Sequence, residues 1–401
     1  MGMFGEYKKY KVYIDGADIT STVTNATIFQ DIQSPTWSAQ IYCLDSADLL
    51  NALPIRSGSQ VRIVIQTEHN VPTDGYVEYS FVVFRVGEKT QQNAKTQFYV
   101  IHCVPKLFLL NQTIRVNNTF KSNTITDAMN TIWGEYVKDG STLNVIGCEN
   151  VSHIVCQNKT LFLTFGWLLK QAYRKKTADF MFYQSDHRNW QIKPISEMYD
   201  RSHTNITLFQ KPASLRKNGE HLFENATYNV LNVEAQNYDS AMNLANGYYK
   251  NKLQSYDFFT KSFKENTFNF GDDTPDDKVN KNWTDPVFES ENANVTFVSK
   301  VTHLTDGNNS CNEAEAWLQS RKQSLLKLEQ EKYIVQVAGS ANMYKWLAKT
   351  INFDMPNQSD LTDDNFDRKR KGKYLVTAIA HYLNPNGYVV NLELVKRRLE
   401  Q

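Results

Sequence analysis

The chain has 401 residues, 41% of them hydrophobic and 12% aromatic, and a formal net charge of +1. That length exceeds what one core usually serves, and that apolar content excludes a disordered chain, so two or more packed domains are expected. The near-neutral balance removes any general attraction to nucleic acid or to an anionic membrane, so DNA, if it is met at all, is passed rather than gripped.

From the N-terminus, Tyr10, Val12 and Ile14 alternate with lysines and Tyr13, the period of a half-buried strand, and Asp15-Gly16 marks a tight turn. Trp37, Ala39, Ile41 and Cys43 repeat the pattern. Asp45–Leu53 reads as a short helical turn before Pro54. Ser57-Gly58-Ser59 then leads into Val61, Ile63 and Ile65, with further strands around Phe81–Val86 and Phe98–Val104. The last of these is apolar on both faces, broken only by His102, as a central strand would be.

The texture changes near Val116. Ile125, Met129, Ile132, Trp133 and Tyr136 form one stripe at helical spacing, with Thr124 placed as its cap. Phe165, Leu168, Leu169, Ala172 and Tyr173 predict a second helix, with Arg174, Lys175 and Lys176 in its last turn. Phe180, Phe182, Trp190 and Ile192 predict a hairpin around Asp186–Asn189, which makes this an α+β segment ending near Arg201.

A strand is expected over Thr227–Gln236. The following stretch to Lys300 is polar, with the pairs Tyr248-Tyr249 and Phe258-Phe259 and the acidic run Asp272–Asp277. It reads as an excursion inserted into a barrel, an interaction arm rather than a core. Asn312 with Glu315 is a capping-box pattern, and Ala314, Trp317, Leu318, Leu325 and Leu328 line one face of a helix up to about Gln330. Strands dominate thereafter: Asn342–Lys349 leads into Ile351 and Phe353, followed by Tyr374–Ala380 and Tyr388–Val395. The two ends of the chain thus read as the same kind of object.

Sequence motifs for chemistry are absent: there is no Walker loop, dinucleotide glycine motif, His-Glu-x-x-His or Gly-x-Ser-x-Gly. No catalytic residue, cofactor or metal site is therefore assigned. Asp272–Asp277 lacks the spaced ligands of a calcium loop and reads as a solvated turn broken by Pro275. His102 and His381 read as hydrogen-bonded core residues, and Cys148, His153 and Cys156 lack a fourth ligand for zinc. The run Arg368-Lys369-Arg370-Lys371 reads first as a solvated loop and second as an electrostatic contact with a partner subunit, since single-strand binding would call for interleaved aromatics. Five cysteines without a Cys-x-x-Cys suit free, mostly buried thiols in a reducing compartment. No apolar run of about 18 residues predicts a membrane helix. The segment Met1–Lys11 lacks the apolar region of a cleaved signal, so synthesis in a cytoplasm is expected.

The run Val12-Tyr13-Ile14-Asp15-Gly16-Ala17-Asp18-Ile19-Thr20, then Asp45-Ser46-Ala47-Asp48-Leu49-Leu50, Leu53-Pro54 and Gly58-Ser59, resembles the baseplate hub proteins of contractile-tailed bacteriophages. That family includes the T-even phage hub, late control protein D and the N-terminal part of type VI secretion spikes. The closing run Gly372–His381 and Tyr388–Leu394 is similar to the family's last barrel, and the order of elements agrees over almost the whole chain. The resemblance implies a mainly β protein with α+β insertions: two tube-protein-like antiparallel β-barrels plus a middle α+β domain. The first barrel would cover 1–112 and the α+β domain 113–205. The second barrel would cover 206–239 and 301–401, with a helix at 313–330 and a polar insertion at 240–300.

It also implies a virion tail component assembled in the host bacterial cytoplasm. The protein would be a homotrimer whose duplicated barrels adapt a hexameric tail tube to a trimeric central spike, with baseplate wedge proteins around it and DNA only in transit. Partner contacts are expected at Arg368, Lys369, Arg370 and Lys371, and at Tyr248, Tyr249, Phe258 and Phe259. Where such barrels often carry a glycine-led turn before the penultimate strands, this chain has Tyr344-Lys345-Trp346-Leu347. No needle-like C-terminal extension follows Gln401, so a fused secretion spike is not expected. The competing expectations are a tail-associated cell-wall hydrolase and a carbohydrate-binding β protein, the latter because Trp and Tyr are plentiful.

Overall fold

The computed structural model describes residues 7–396 except 54, 68–75, 94, 150, 176–177, 202, 210–215, 218–219, 222–227, 237–239, 246–249, 258–260, 270–293, 301–327, 329–330 and 355–370. The first unit comprises β1 (Tyr7–Ile14), β2 (Ala17–Asp18), β3 (Val23–Asp31), β4 (Ser38–Asp45), α1 (Leu49–Ala52), β5 (Gln60–Thr67), β6 (Val77–Asn93) and β7 (Thr96–Val104). Alternation drives it: Ala39, Ile41 and Cys43 of β4 point inward, as do Val61, Ile63 and Ile65 of β5. Asp45, also fully buried, accepts the N–H groups of Ala47 at 2.8 Å and Leu49 at 2.7 Å, which fixes the turn into α1.

A second set of elements follows: α2 (Lys106–Thr113), β8 (Thr119–Thr124), α3 (Ile125–Tyr136), β9 (Thr142–Val145), β10 (Val151–Val155), α4 (Leu161–Leu169), β11 (Phe180–Asp186), β12 (Asn189–Pro194) and α5 (Ile195–Arg201). Thr124 caps α3 as expected, its side chain accepting from the Asp127 N–H at 3.1 Å. The apolar stripes of α3 and α4 pack on β11 and β12 in a core of their own, where Trp133 lies 5.6 Å from Trp190 and Phe165 lies 5.1 Å from Phe182. One expectation fails here. α4 ends at Leu169, so Arg174 and Lys175 lie beyond its last turn and instead flank the buried carboxylate of Glu197, at 3.7 and 3.5 Å. That carboxylate is desolvated and draws the cations more strongly than an exposed helix end would.

The last set comprises β13 (His203–Phe209), the short hairpin β14 (Arg216–Lys217) and β15 (Glu220–His221), β16 (Tyr228–Gln236), α6 (Ser240–Ala245), β17 (Lys250–Asp257), β18 (Ser262–Asn269), β19 (Asn294–Lys300), β20 (Glu331–Ala338), β21 (Thr350–Asp354), β22 (Gly372–Asn384) and β23 (Gly387–Lys396). The stretch expected to be an arm holds a three-stranded sheet, β18-β17-β19. β17 and β18 are mostly polar at both alternating sets of positions, so no apolar periodicity announces them. The register sets Gln254 opposite Glu265, whose carboxylate also meets Lys252 at 2.7 Å. The helix expected over 313–330 and the acidic run Asp272–Asp277 lie outside the described residues.

Both barrels belong to one 13-stranded sheet and one hydrophobic cluster. Within it, five strands occur in the order β5-β6-β7-β4-β3 and again in the order β21-β22-β23-β20-β16, every pair antiparallel in both copies. Irregularities recur at matching places. The β6–β7 ladder slips between Val83 and Arg85, and the β22–β23 ladder slips between Val376 and Ala378. The β3–β4 ladder slips between Val23 and Asn25, and the β16–β20 ladder between Val230 and Asn232. The sixth strand fills the same slot in each copy but runs in opposite directions: β1 is antiparallel to β5, whereas β13 is parallel to β21. β13 also pairs with β16, so the last barrel closes on itself.

The repeat extends to the turn before the fourth strand. Gly58 N–H donates to Val83 O at 2.8 Å and Val83 N–H to Ser59 O at 2.9 Å; Ala348 N–H donates to Val376 O at 2.9 Å and Val376 N–H to Lys349 O at 3.0 Å. Gly58 has φ +95° and Ala348 φ +58°, so Ala348 holds the left-handed conformation that a glycine holds in the first copy. Gly58→Ala is expected to cost about 1 kcal/mol, from backbone strain alone, because a Cβ there meets nothing within 4 Å. Ala348→Gly is expected to stay within about 0.5 kcal/mol of the parent, since relief of strain and loss of a buried methyl nearly cancel. Urea unfolding of the two variants checks both values.

Candidate assembly interface

The two barrels meet through backbone. β22 is long enough to pair with β21 over Gly372–Leu375 and then, along the same edge, with β3 from Ala378 opposite Asp31 to Leu383 opposite Ala26. Ile32 N–H donates to Thr377 O at 3.0 Å and extends the seam. The inward face of β22 carries Ile379, His381 and Leu383, all buried.

His381 is fully buried and tied to both barrels: Nδ1 lies 2.6 Å from Tyr388 Oη and Nε2 lies 3.1 Å from Gln30 Oε1. The carbonyl oxygen of Gln30 can only accept, which assigns the proton to Nε2 and leaves Nδ1 to accept from the Tyr388 hydroxyl. Burial pushes the imidazole pKa down to about 3, so the ring is neutral. This agrees with the expectation of a hydrogen-bonded core histidine. Tyr388 needs room for this arrangement, and Gly339 supplies it: a Cβ there would sit 2.2 Å from the Tyr388 ring.

Beside the seam, aromatic rings from three parts of the chain converge. Tyr79 of β6 lies 5.2 Å from His187, 5.9 Å from Tyr344 and 6.0 Å from His381, and Trp37 lies 5.4 Å from His187. His187 sits in the β11–β12 turn, where burial lowers its pKa against the opposing pull of Asp186 and Glu78. Hydrogen bonds fasten the same turn to the first barrel. Trp37 N–H donates to Gln184 Oε1 at 3.0 Å and its indole N–H to Gln184 O at 2.8 Å, while the Trp190 indole N–H donates to Pro35 O at 2.8 Å. Sequence reasoning placed Trp37 in a strand pattern and missed this junction, because its members are separated by scores to hundreds of residues.

Besides the outer edge of β1, the 13-stranded sheet has open edges at β6 and β16 among the described residues. β6 pairs with β5 only as far as Val82, yet runs on beside β7 to Asn93, so from Arg85 its other edge carries no strand. The residues from Glu88 to Asn93 are exposed. β16 pairs with β13 only at Tyr228 and Asn229, and its edge from Leu231 to Gln236 is likewise unpaired and largely exposed.

Chemistry offers less. Among the described residues no three His, Cys, Asp or Glu side chains come together as a metal site. A wide-open groove of about 440 Å³ at the foot of the β6–β7 hairpin is lined by Ser46, Asp48, Gln91, Lys95, Thr96 and Gln97, one carboxylate and one ammonium without a second acid. Cys43, Cys103, Cys148 and Cys156 are free and buried. Cys148 Sγ lies 3.5 Å from the Thr126 hydroxyl, while the His153 side chain lies outside the described residues. So do Tyr248, Tyr249, Phe258, Phe259, Arg368, Lys369 and Arg370. Lys371 is described: its carbonyl accepts from Lys396 Nζ at 2.7 Å at the start of β22. No helix among the described residues is long and apolar enough to cross a membrane.

No protein-family model and no curated protein sequence matches the chain. Solved structures do. A tail protein from Neisseria meningitidis MC58 superposes with a TM-score of 0.59 at 11% identity, over 96% of this chain and 96% of that one. The 43 kDa tail protein of prophage MuSo2 from Shewanella oneidensis gives a TM-score of 0.59 at 11% identity, over 97% of this chain and 99% of that one. The chain therefore has, along almost its whole length, the mainly β fold of phage tail proteins.

The seam gives two expectations. Unfolded, His381 takes a proton near pH 6.5, whereas folded it stays neutral down to about 3. The unfolded state then binds more protons between those values, so the contribution is intact above pH 6.5 and is lost as pH falls. About 2 kcal/mol is expected to go by pH 5, and denaturant titrations of His381→Gln against the parent should show a flatter pH slope for the variant. Gly339→Ala, by displacing the Tyr388 ring, is expected to cost about 1–3 kcal/mol in the same assay.

Proposed function

We propose that the protein is the structural hub of a phage tail baseplate, a homotrimer in which six barrels form a pseudo-sixfold ring. The observation that carries this reading is the five-strand order repeated within one chain, with the same pair directions and two bulges at matching places. Three such chains present six near-equivalent faces, the number a hexameric tail tube needs, while the parts that are not repeated keep threefold order for a trimeric spike. In this reading the ring leaves a channel through which DNA passes during ejection, and the formal net charge of +1 suits a bore that must not retain a polyanion. The role is non-enzymatic, and the location is the virion, at a contractile tail's baseplate beside tube, spike and wedge proteins. Arg368, Lys369, Arg370 and Lys371, with Tyr248, Tyr249, Phe258 and Phe259, are proposed as contacts with those partners.

Light scattering of the purified chain, alone and with its tube and spike proteins, tests the reading. A mass of three chains and ring-shaped particles with an open centre are expected. A chain that stays monomeric in both conditions and never enters a particle would overturn it.

A further inference from the structure

The seam inside one chain specifies the seam between chains. We infer that the open edge of β6 pairs, antiparallel, with the open edge of β16 in a second copy of this chain, reproducing the internal β22–β3 ladder. The inference rests on the hub reading and adds to it a named interface and register.

The argument is one of equivalence. β6 is the counterpart of β22, because Val82 ends the β5 ladder as Leu375 ends the β21 ladder, and the neighbouring bulges coincide. β16 is the counterpart of β3, because Val230 and Asn232 flank the same slip that Val23 and Asn25 flank. The stretch of β22 from Ala378 to Leu383 is covered by β3, whereas the matching stretch of β6, Arg85 to Gln91, carries no strand on that edge among the described residues. The stretch of β3 that does the covering matches β16 from Val233 onward, which is itself uncovered. Each chain thus contains one satisfied copy of the contact and one unsatisfied half of each kind.

The β6–β7 ladder slips again between Gly87 and Thr90, where β6 carries one residue more than β22, so carrying the internal register across sets Gly87 against Gln236, Thr90 against Glu234 and Gln91 against Val233. The contact is head-to-tail, so it leaves an edge free at each end until the ring closes. With the internal seam between them, three external seams complete a ring of six barrels. Glu88, at φ +56°, bulges the β6 edge, and the charged residues around it restrain indiscriminate strand addition to the free chain.

The test uses Thr90→Cys with Glu234→Cys in the full-length chain, oxidised and run on a non-reducing gel beside the parent and each single variant. A disulfide-linked ladder that stops at three chains, seen only with the double variant, is expected. Trimers by light scattering without that cross-link would overturn this pairing and leave the hub reading standing. Monomers in every condition, with tube and spike proteins present, would overturn both.

Discussion

The structure depends on backbone pairing between β22 and β3. A strand of the last barrel begins its edge with its own neighbour, β21, and finishes it with a strand some 350 positions earlier in the chain. That single ladder turns two barrels into one sheet and lets both drain their apolar faces into one hydrophobic cluster. Loop closure over such a distance costs entropy once, and the cost grows only slowly with length. The cooperative return is large, because neither barrel can shear from the other without opening hydrogen bonds in a water-free interior.

The polar residues at that seam fix its geometry rather than adding raw stability. A buried imidazole between a phenol and a carboxamide must be fully satisfied or it becomes a liability. His381, Tyr388 and Gln30 meet in one register only, since sliding β3 by one position would turn Gln30 to the other face. Trp37 and Tyr79 work in the same way on the third side. They bring the β11–β12 turn against both barrels, with the indole and main-chain hydrogen bonds of Trp37 setting the distance. Orientation between parts of the chain is therefore specified at one place, where all three touch.

Much of this was legible in the sequence where one face of an element is apolar. The alternation of Ala39, Ile41 and Cys43, the stripe of α3 with its Thr124 cap, and the hairpin at Asp186–Asn189 all read correctly. What escaped has a common cause. β17, β18 and β8 carry polar side chains on both faces, so periodicity has nothing to contrast. The end of α4 was misplaced because Ala172 and Tyr173 continue the stripe in sequence after the backbone has left the helix. The reversed direction of β1 relative to β13 is also invisible, since alternation is the same read either way along a strand. The long-range seam left no mark, since the strands expected over Phe81–Val86 and Tyr374–Ala380 are shorter than β6 and β22 turn out to be.

The reversal of the sixth strand decides how the matching edges of the two barrels are used. In the last barrel β13 bridges β21 and β16 and closes the cylinder, and among the described residues it pairs with β16 only at Tyr228 and Asn229. In the first unit β1 runs the other way, and among the described residues it forms no ladder with β3, whose edge is free to accept β22. The same slot is thus used for closure in one copy and vacated for docking in the other. Had both copies kept the β13 direction, closure pairing at β3 would compete with β22 for one edge, and the internal seam would lose its place. Had both kept the β1 direction, the last barrel would lack its parallel closure and present a longer, less selective edge. Two like modules that differ at one strand thus leave one such edge filled inside the chain and its counterpart open among the described residues.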